Sequence, residues 1–245
     1  MNTVEEWSSR FDLEYDNITS GRAPGLEPLE KSMFLTQAQD NVVIGLYKGD
    51  IGESFESTEE LTAYLGTLIE QTEGSLVPST QPIHKVISNK SSVYEFGTSS
   101  EVLFVTMETC LIETPDGDET ITIDNQVKTC KTVDVVPITQ DEFWRTKRNP
   151  FKKQNGNKVL RLSYSGSTST ASDLTEKRYS ELISDKPILK YTVRYIKRPS
   201  PIVLANISPY KINGVYSATT CMLPKAIHNI ILAEAVRLAK AVWNS

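Results

Sequence analysis

The sequence holds 245 residues with 39% hydrophobic and 23% charged side chains, a mean hydropathy of −0.30 and a formal net charge of −5. That profile argues against fibrous, disordered and membrane-spanning classes and leaves a globular chain long enough to bury a core without metal or disulfide. The net charge conceals a split: residues 1–125 carry 6 basic against 23 acidic side chains, net −17, and residues 126–245 carry 20 against 8, net +12.

Taken in chain order, Thr3-Val4-Glu5-Glu6 reads as a capping box, and Trp7, Phe11, Leu13 and Ile18 form an apolar stripe that predicts a helix over residues 4–18. Gly21 to Gly25 breaks it. Glu27-Pro28-Leu29-Glu30 opens a second helix, with proline and acid in the first turn where both are tolerated, and Leu29, Met33, Ala38, Val42 and Leu46 carry it to Gly49. A third helix is expected after Ser57, with Leu61, Tyr64, Leu65, Leu68 and Ile69 on one side, ending near Gly74. From Val86 the period changes to two. Val102 to Ile112 and Thr120 to Ile123 read as a hairpin around Pro115-Asp116-Gly117-Asp118, followed by strands at Cys130–Val136, Lys158–Tyr164, Ile188–Ile196, Ile202–Ile207 and Val215–Cys221. Thr139-Gln140-Asp141-Glu142 is a second capping box, starting a short helix that Asn149-Pro150 stops. The Ser/Gly/Thr-rich stretch 163–172 reads as a flexible loop. Leu223-Pro224 opens a last helix to Trp243 with Ile227, Ile231, Ala235, Leu238 and Val242 on its apolar face.

These elements predict an α+β fold: a helical bundle formed by the N-terminal helices and the C-terminal helix, with an inserted antiparallel β domain. The expected division is 1–85 plus 222–245 for the bundle and 86–221 for the β domain, with the short helix at 139–148. No apolar run reaches membrane-spanning length and no secretory h-region opens the chain, so synthesis and assembly are expected in the cytoplasm, with no membrane partner.

Chemistry-bearing motifs are scarce. Cys110, Cys130 and Cys221 are odd in number and widely spaced, with His84 and His228 the only histidines, which argues against a zinc site and a disulfide framework. Neither histidine has a Ser, Cys or Asp motif beside it, and each is read as a solvated or capping residue. Acid pairs Glu5-Glu6 and Glu59-Glu60 fall in helix first turns, where they offset unpaired amides. No glycine-rich phosphate cradle is present. The expectation is therefore no catalytic residue, no cofactor and no enzyme activity. What remains is a basic cluster, Arg145, Lys147, Arg148, Lys152, Lys153, Lys158 and Arg161, interleaved with Phe143, Trp144 and Phe151. Arg145, Lys147, Arg148, Lys152 and Lys153 are the candidate protein-interface residues. A phosphate-binding patch has this composition too, so a nucleic-acid-binding accessory protein stands as an alternative, and a hydrolase as a more distant one.

Several phrases resemble virion structural proteins of crAss-like and related Bacteroidetes phages. They are Asn17-Ile18-Thr19-Ser20, Ala23-Pro24-Gly25-Leu26 and Leu29-Glu30-Lys31-Ser32-Met33-Phe34-Leu35-Thr36-Gln37-Ala38-Gln39 near the start. In the middle stand Pro137-Ile138-Thr139-Gln140-Asp141-Glu142-Phe143, Asn149-Pro150-Phe151-Lys152-Lys153 and Val159-Leu160-Arg161-Leu162. Near the end come Tyr191-Thr192-Val193-Arg194-Tyr195-Ile196-Lys197-Arg198-Pro199-Ser200-Pro201-Ile202-Val203-Leu204 and Cys221 to Pro224. The resemblance implies a ring-forming subunit of the head-to-tail connector below the portal, a tail adaptor in the virion neck. It implies a homo-oligomeric ring, a dodecamer by analogy with portals. The implied partners are the portal and other connector or tail proteins, and genomic DNA passes through without sequence recognition. The charge split suits head-to-tail contacts of that kind, and equally pairing inside one chain.

Overall fold

The computed structural model describes residues 1–19, 25–48, 59–78, 86–98, 100–123, 125–149, 151, 157–170 and 173–243, leaving aside the side chains of 17–19, 60–62, 165–170, 173–175 and 243. It divides into two compact units, one of Met1–Ile69 with Arg198–Ser245 and one of Glu70–Lys197.

The first unit is built on helices α1 (Val4–Thr19), α2 (Pro28–Lys48), α3 (Glu59–Leu65) and α5 (His228–Trp243). Thr3 Oγ1 accepts from the Glu6 amide at 3.2 Å, while the Glu6 carboxylate reaches back to Asn2 N at 2.9 Å. Trp7, Phe11 and Tyr15, four residues apart, form the buried stripe of α1. Leu13, expected in that stripe, is instead 62% exposed, and Ile18 lies outside the described side chains. On α5, Ile231, Leu232, Ala235, Val236 and Ala239 are buried, Leu238 is half-buried, and Val242 faces solvent. α1, α2 and α5 pack on one another.

The buried face of α2 is mixed. Leu35, Ala38, Val43 and Leu46 are apolar, while Ser32, Thr36 and Gln39 are polar and equally buried. Their partner is the backbone of residues 200–204. Gln39 Nε2 donates to Ser200 O (2.9 Å), Thr36 Oγ1 both donates to Ile202 O (3.3 Å) and accepts from Ile202 N (3.2 Å), and Ser32 Oγ accepts from Leu204 N (2.9 Å). Across the segment Val203 pairs with Thr219 in an isolated bridge. The predicted strands at 202–207 and 215–221 are therefore not ladder strands: helix side chains supply the hydrogen bonds that a neighbouring strand would give. The turn predicted at Asn213-Gly214 does form, with both residues at positive φ.

The second unit holds nine strands in one sheet: β1 (Ile69–Glu73), β2 (Ser75–Leu76), β3 (Ser91–Thr98), β4 (Val102–Glu113), β5 (Glu119–Ile123), β6 (Gln126–Pro137), β7 (Lys158–Thr170), β8 (Asp173–Ile183) and β9 (Ile188–Lys197). The order is β1-β9-β4-β6-β7-β8-β3-β2, with β5 paired to β6 alone. Its two ends, β1 and β2, are consecutive in the chain and joined by Gly74, so one bent segment nearly closes the sheet on itself. Gly74 N donates to Tyr191 O on β9 (2.9 Å) and Val77 N to Val93 O on β3 (2.8 Å). A Cβ at Gly74 would collide with the Tyr191 ring and crowd Tyr94, which is why glycine stands at the bend. One face of the sheet encloses Tyr94, Phe96, Val102, Cys110, Ile112, Val133, Val159, Leu182, Tyr191, Val193 and Tyr195.

The predicted helical bundle with an inserted antiparallel β domain is thus corrected: the main body is a nearly closed mixed sheet, with only five α-helices among the described residues. Three physical reasons stand out. Residues 69–73, expected to continue the third helix towards Gly74, are extended and with Ser75–Leu76 close the sheet, so that helix ends at Leu65 and a single 3₁₀ turn. β6 and β7 pair in parallel (Asp134↔Lys158 to Pro137↔Arg161), so the sheet is mixed and not antiparallel. The Ser/Thr-rich stretch expected as a loop forms the distal part of a long hairpin, β7 with β8, registered out to Thr170↔Asp173. The expected β4–β5 hairpin is likewise replaced: β4 pairs with β6 and β9, and β5 with β6.

The sheet also forks. β6 pairs with β4 at residues 109–113 and with β7 at 158–161, so beyond Pro137 residues 102–108 of β4 and 162–170 of β7 run on without β6 between them. At the base of the fork the Arg161 guanidinium lies 3.2 Å from Glu108 Oε2, with side chains only 15% and 6% exposed. The pair sits at ion-pair distance without the alignment of a hydrogen bond. Tyr191, whose hydroxyl bonds both Glu108 and Ser180 Oγ (3.0 Å), completes the group. Burial pushes the Glu108 carboxyl up, against the opposing pull of Tyr191 and Arg161. Burial also lowers the pKa of Arg178, helped by the like charge of Arg161.

Candidate functional site

The basic cluster predicted around residues 143–161 is taken apart by the fold. Helix α4 (Gln140–Arg148) carries its central part. Thr139 Oγ1 accepts from Glu142 N at 3.2 Å and Thr139 N donates to the Glu142 carboxylate at 3.3 Å, completing the capping box. Phe143 and Thr146, three residues apart, turn inward. Phe143 packs with Leu160, Leu162 and Ile183 and, at the margin, Ile87 and Ile138. That is the opposite face of the sheet from the enclosed core, since Leu160↔Ile183 alternates with Arg161↔Leu182 along the ladder.

The outward face holds Trp144 (53% exposed), Arg145, Lys147 and Arg148, and Phe151 follows at 89% exposed. Lys147 Nζ lies 5.2 Å from the Trp144 ring centroid and 5.9 Å from that of Phe143, a cation–π placement that fixes the lysine along the helix. Basic residues in the last turn also suit the carbonyl end of the helix. Lys152 and Lys153 lie outside the described residues. Lys158 donates to Phe151 O at 3.1 Å, and Arg161 is turned away to Glu108. The surface patch is therefore Trp144, Arg145, Lys147, Arg148 and Phe151.

Part of the charge split is resolved within the chain. Acids of residues 1–125 meet bases of residues 126–245 in Glu113–Lys128, Glu108–Arg161, Glu95–Lys177, Glu73–Lys190, Glu70–Lys197 and Glu101–Lys197 across the sheet. Asp40–Arg198 does the same in the other unit. Arg145, Lys147 and Arg148 make no ion pair with any described residue.

The remaining predicted chemistry is placed as follows. Cys110 and Cys130 are buried and Cys221 half-buried, all three as free thiols; burial pushes the Cys110 thiol up to about 12. Among the described residues no group of three or more metal-ligating side chains forms. His84 lies outside the described residues. His228, read as solvated or capping, is instead a core residue at 3% exposure: its Nε2 bonds Leu223 O at 2.8 Å and its ring lies 5.1 Å from that of Trp7. Burial holds its pKa below the ordinary value. Sequence reasoning missed the Glu108–Arg161–Tyr191 group, although its signal was present: Glu108 shares the period-two face of Cys110 and Ile112 inside an apolar strand.

The family model for phage tail ring protein 3/4 matches residues 1–245, both units included. The chain is similar to Ring protein 3 of Bacteroides phage crAss001, 36% identical over 246 residues that cover 97% of this chain and 94% of that protein. It is also similar to Ring protein 4/5 of the same phage, 30% identical over 247 residues that cover 98% and 93%.

Proposed function

The chain belongs to the phage tail ring protein 3/4 family, structural ring proteins of the virion, and from that membership we propose that it forms a closed homo-oligomeric ring in the head-to-tail connector. The observation that carries the reading is the family match over residues 1–245, with relatives named as ring proteins and covered over more than nine-tenths of their length. The ring sits below the portal, has twelve copies by analogy with portals, and is assembled in the host cytoplasm. Genomic DNA passes through its centre without sequence recognition. A channel lined with bases would hold the phosphates at every contact, so the lining is drawn from the acidic part of the chain. The helical unit qualifies, with 9 basic against 14 acidic side chains, net −5, whereas the sheet unit balances at 17 against 17.

The α4 patch is the contact to a neighbouring virion protein. Its three cations make no ion pair with any described residue, two exposed aromatics accompany them, and aromatic and arginine side chains are the residues interfaces favour. The segment Arg145 to Lys153 faces an acidic surface on that neighbour. Replacing Arg145, Arg148 and Lys152 together by glutamate leaves the unfolding midpoint in place and blocks incorporation into particles; normal incorporation would make the patch a solvated face. The same patch gives a second reading, contact with nucleic acid. That reading requires the isolated chain to bind DNA with an affinity falling steeply as salt rises.

A further inference from the structure

We infer that the α4 patch of one copy seats in a groove on the helical unit of the next copy, with Trp144 against Met33 and Tyr210 and with Arg148 at the Asp40 carboxylate. The inference rests on the ring reading above and names the neighbour that α4 meets. A ring of identical copies closes through a heterologous interface, which needs two different and complementary patches on each chain. The α4 patch is one, and the groove is the other.

The groove, about 490 Å³, lies between α2 and residues 210–213, and its size falls within the roughly 300–1,000 Å³ of built binding sites. Leu29 and Met33 of α2 and, across from them, Tyr210 and Ile212 give it apolar walls, with Met33 56% and Tyr210 63% exposed. Asp40, two turns along α2 from Met33, adds a carboxylate. That carboxylate is poorly served. Its Oδ2 lies 3.7 Å from Arg198 Nε, beyond hydrogen-bond reach, and its Oδ1 is buried with no hydrogen-bond partner. Burial pushes the carboxyl up against the pull of Arg198, and a second cation would draw it back. Lys211 also lines the groove, on an exposed side chain that makes no ion pair with Asp40. A second groove, between α2 and α5, differs in this respect. Its acid, Glu234, already accepts from Asn41 at 3.3 Å and twice from Arg237 at 2.7 Å.

The α4 patch supplies what the first groove lacks. Trp144 and Arg148 stand one turn apart on the exposed face of α4, so ring and guanidinium arrive side by side. A guanidinium presents its donors as a fork that a carboxylate accepts. A methionine thioether and a tyrosine ring make soft walls for an indole, and aromatic, Met and Arg side chains are those that interfaces enrich.

The test is disulfide trapping in assembled particles, in a Cys221→Ser background so that only the buried Cys110 and Cys130 remain. Chains carrying Met33→Cys together with one of Trp144→Cys, Arg145→Cys, Arg148→Cys or Phe151→Cys are expected to give, for at least one pair, a ladder of dimers, trimers and higher multimers on oxidation. Met33→Cys alone gives none. Asp40→Asn and Arg148→Gln are each expected to lower incorporation about tenfold, and the double variant no further than the lower single. The unfolding midpoint of Arg148→Gln stays in place. A link closed within one chain, seen as a monomer of altered mobility, would mean that α4 covers its own groove and would overturn the inference. So would additive losses in the double variant, or rings seen by electron microscopy in which no pair cross-links. If in such rings the triple glutamate variant still fails to incorporate, the ring reading stands and α4 meets a different virion protein. If no ring forms at all, the ring reading fails and the inference falls with it.

Discussion

The two units satisfy extended backbone by different means. In the sheet unit strands pair with strands, and at the fork the side chains of Glu108, Arg161 and Tyr191 bridge strands no longer held by β6. In the helical unit the extended segment 200–204 has no strand on its α2 side, and Ser32, Thr36 and Gln39 pair with its backbone instead. An apolar, β-branched run therefore does not by itself become a ladder strand. The partner decides, and a polar stripe on a helix is a sufficient partner.

Breaking each device measures the difference. The largest effect is expected from Glu108→Ala, which leaves Arg161 buried without its counter-charge and should cost about 3–5 kcal/mol. Replacing both partners, Glu108→Leu with Arg161→Met, should recover most of that loss in a urea titration. Recovery failing in the double variant would mean that the pair specifies the fork and does not merely neutralise itself. Next is Thr36→Val, which keeps the shape but strands the amide and carbonyl of Ile202 and should cost about 1–3 kcal/mol. Its control in the sheet is Thr132→Val, where an exposed hydroxyl contacts only Glu119 and the change should stay within about 0.5 kcal/mol. Equal costs would erase the contrast between the units. Removing the α4 cap with Thr139→Ala should cost about 1 kcal/mol.

A smaller, pH-gated effect belongs to the helical unit. The folded pKa of His228 lies below its unfolded value of about 6.5. Its contribution to stability is therefore present above that pH and is lost as the pH falls through 6.5 towards the folded value. Thermal melts from pH 7.5 to 5 should show this loss, and His228→Gln should flatten it. An unchanged slope in that variant would assign the loss to other groups.

Much of this fold is readable from local pattern. The caps at Thr3 and Thr139, the helices α1, α2, α4 and α5, the strands β4, β6 and β9, and the turn at Asn213-Gly214 each carry a complete signal within a few residues. What is not readable depends on distant partners. Leu68 and Ile69 continue the apolar spacing of the preceding helix, and only the contacts of residues 69–76 with β9 and β3 make them strands. β8 is hidden because Glu176, Lys177, Arg178 and Glu181 mask its alternation around Tyr179 and Ile183. The candidate patch was half legible: Arg145, Lys147 and Arg148 do share an exposed face, but nothing local announces that Arg161 leaves for Glu108. The charge split was plain in composition, yet its resolution into pairs across the sheet required the strand order. Family membership was legible through phrase resemblance alone, since no single residue in the chain announces a ring.

The central claim, a closed ring in the virion neck, is tested most directly by an electron cryomicroscopy reconstruction of the tail from intact particles. The account predicts continuous density for this chain encircling the axis below the portal, with α4 facing an adjacent protein. Its absence from the neck, or its presence there as separate copies that do not encircle the axis, would contradict the account.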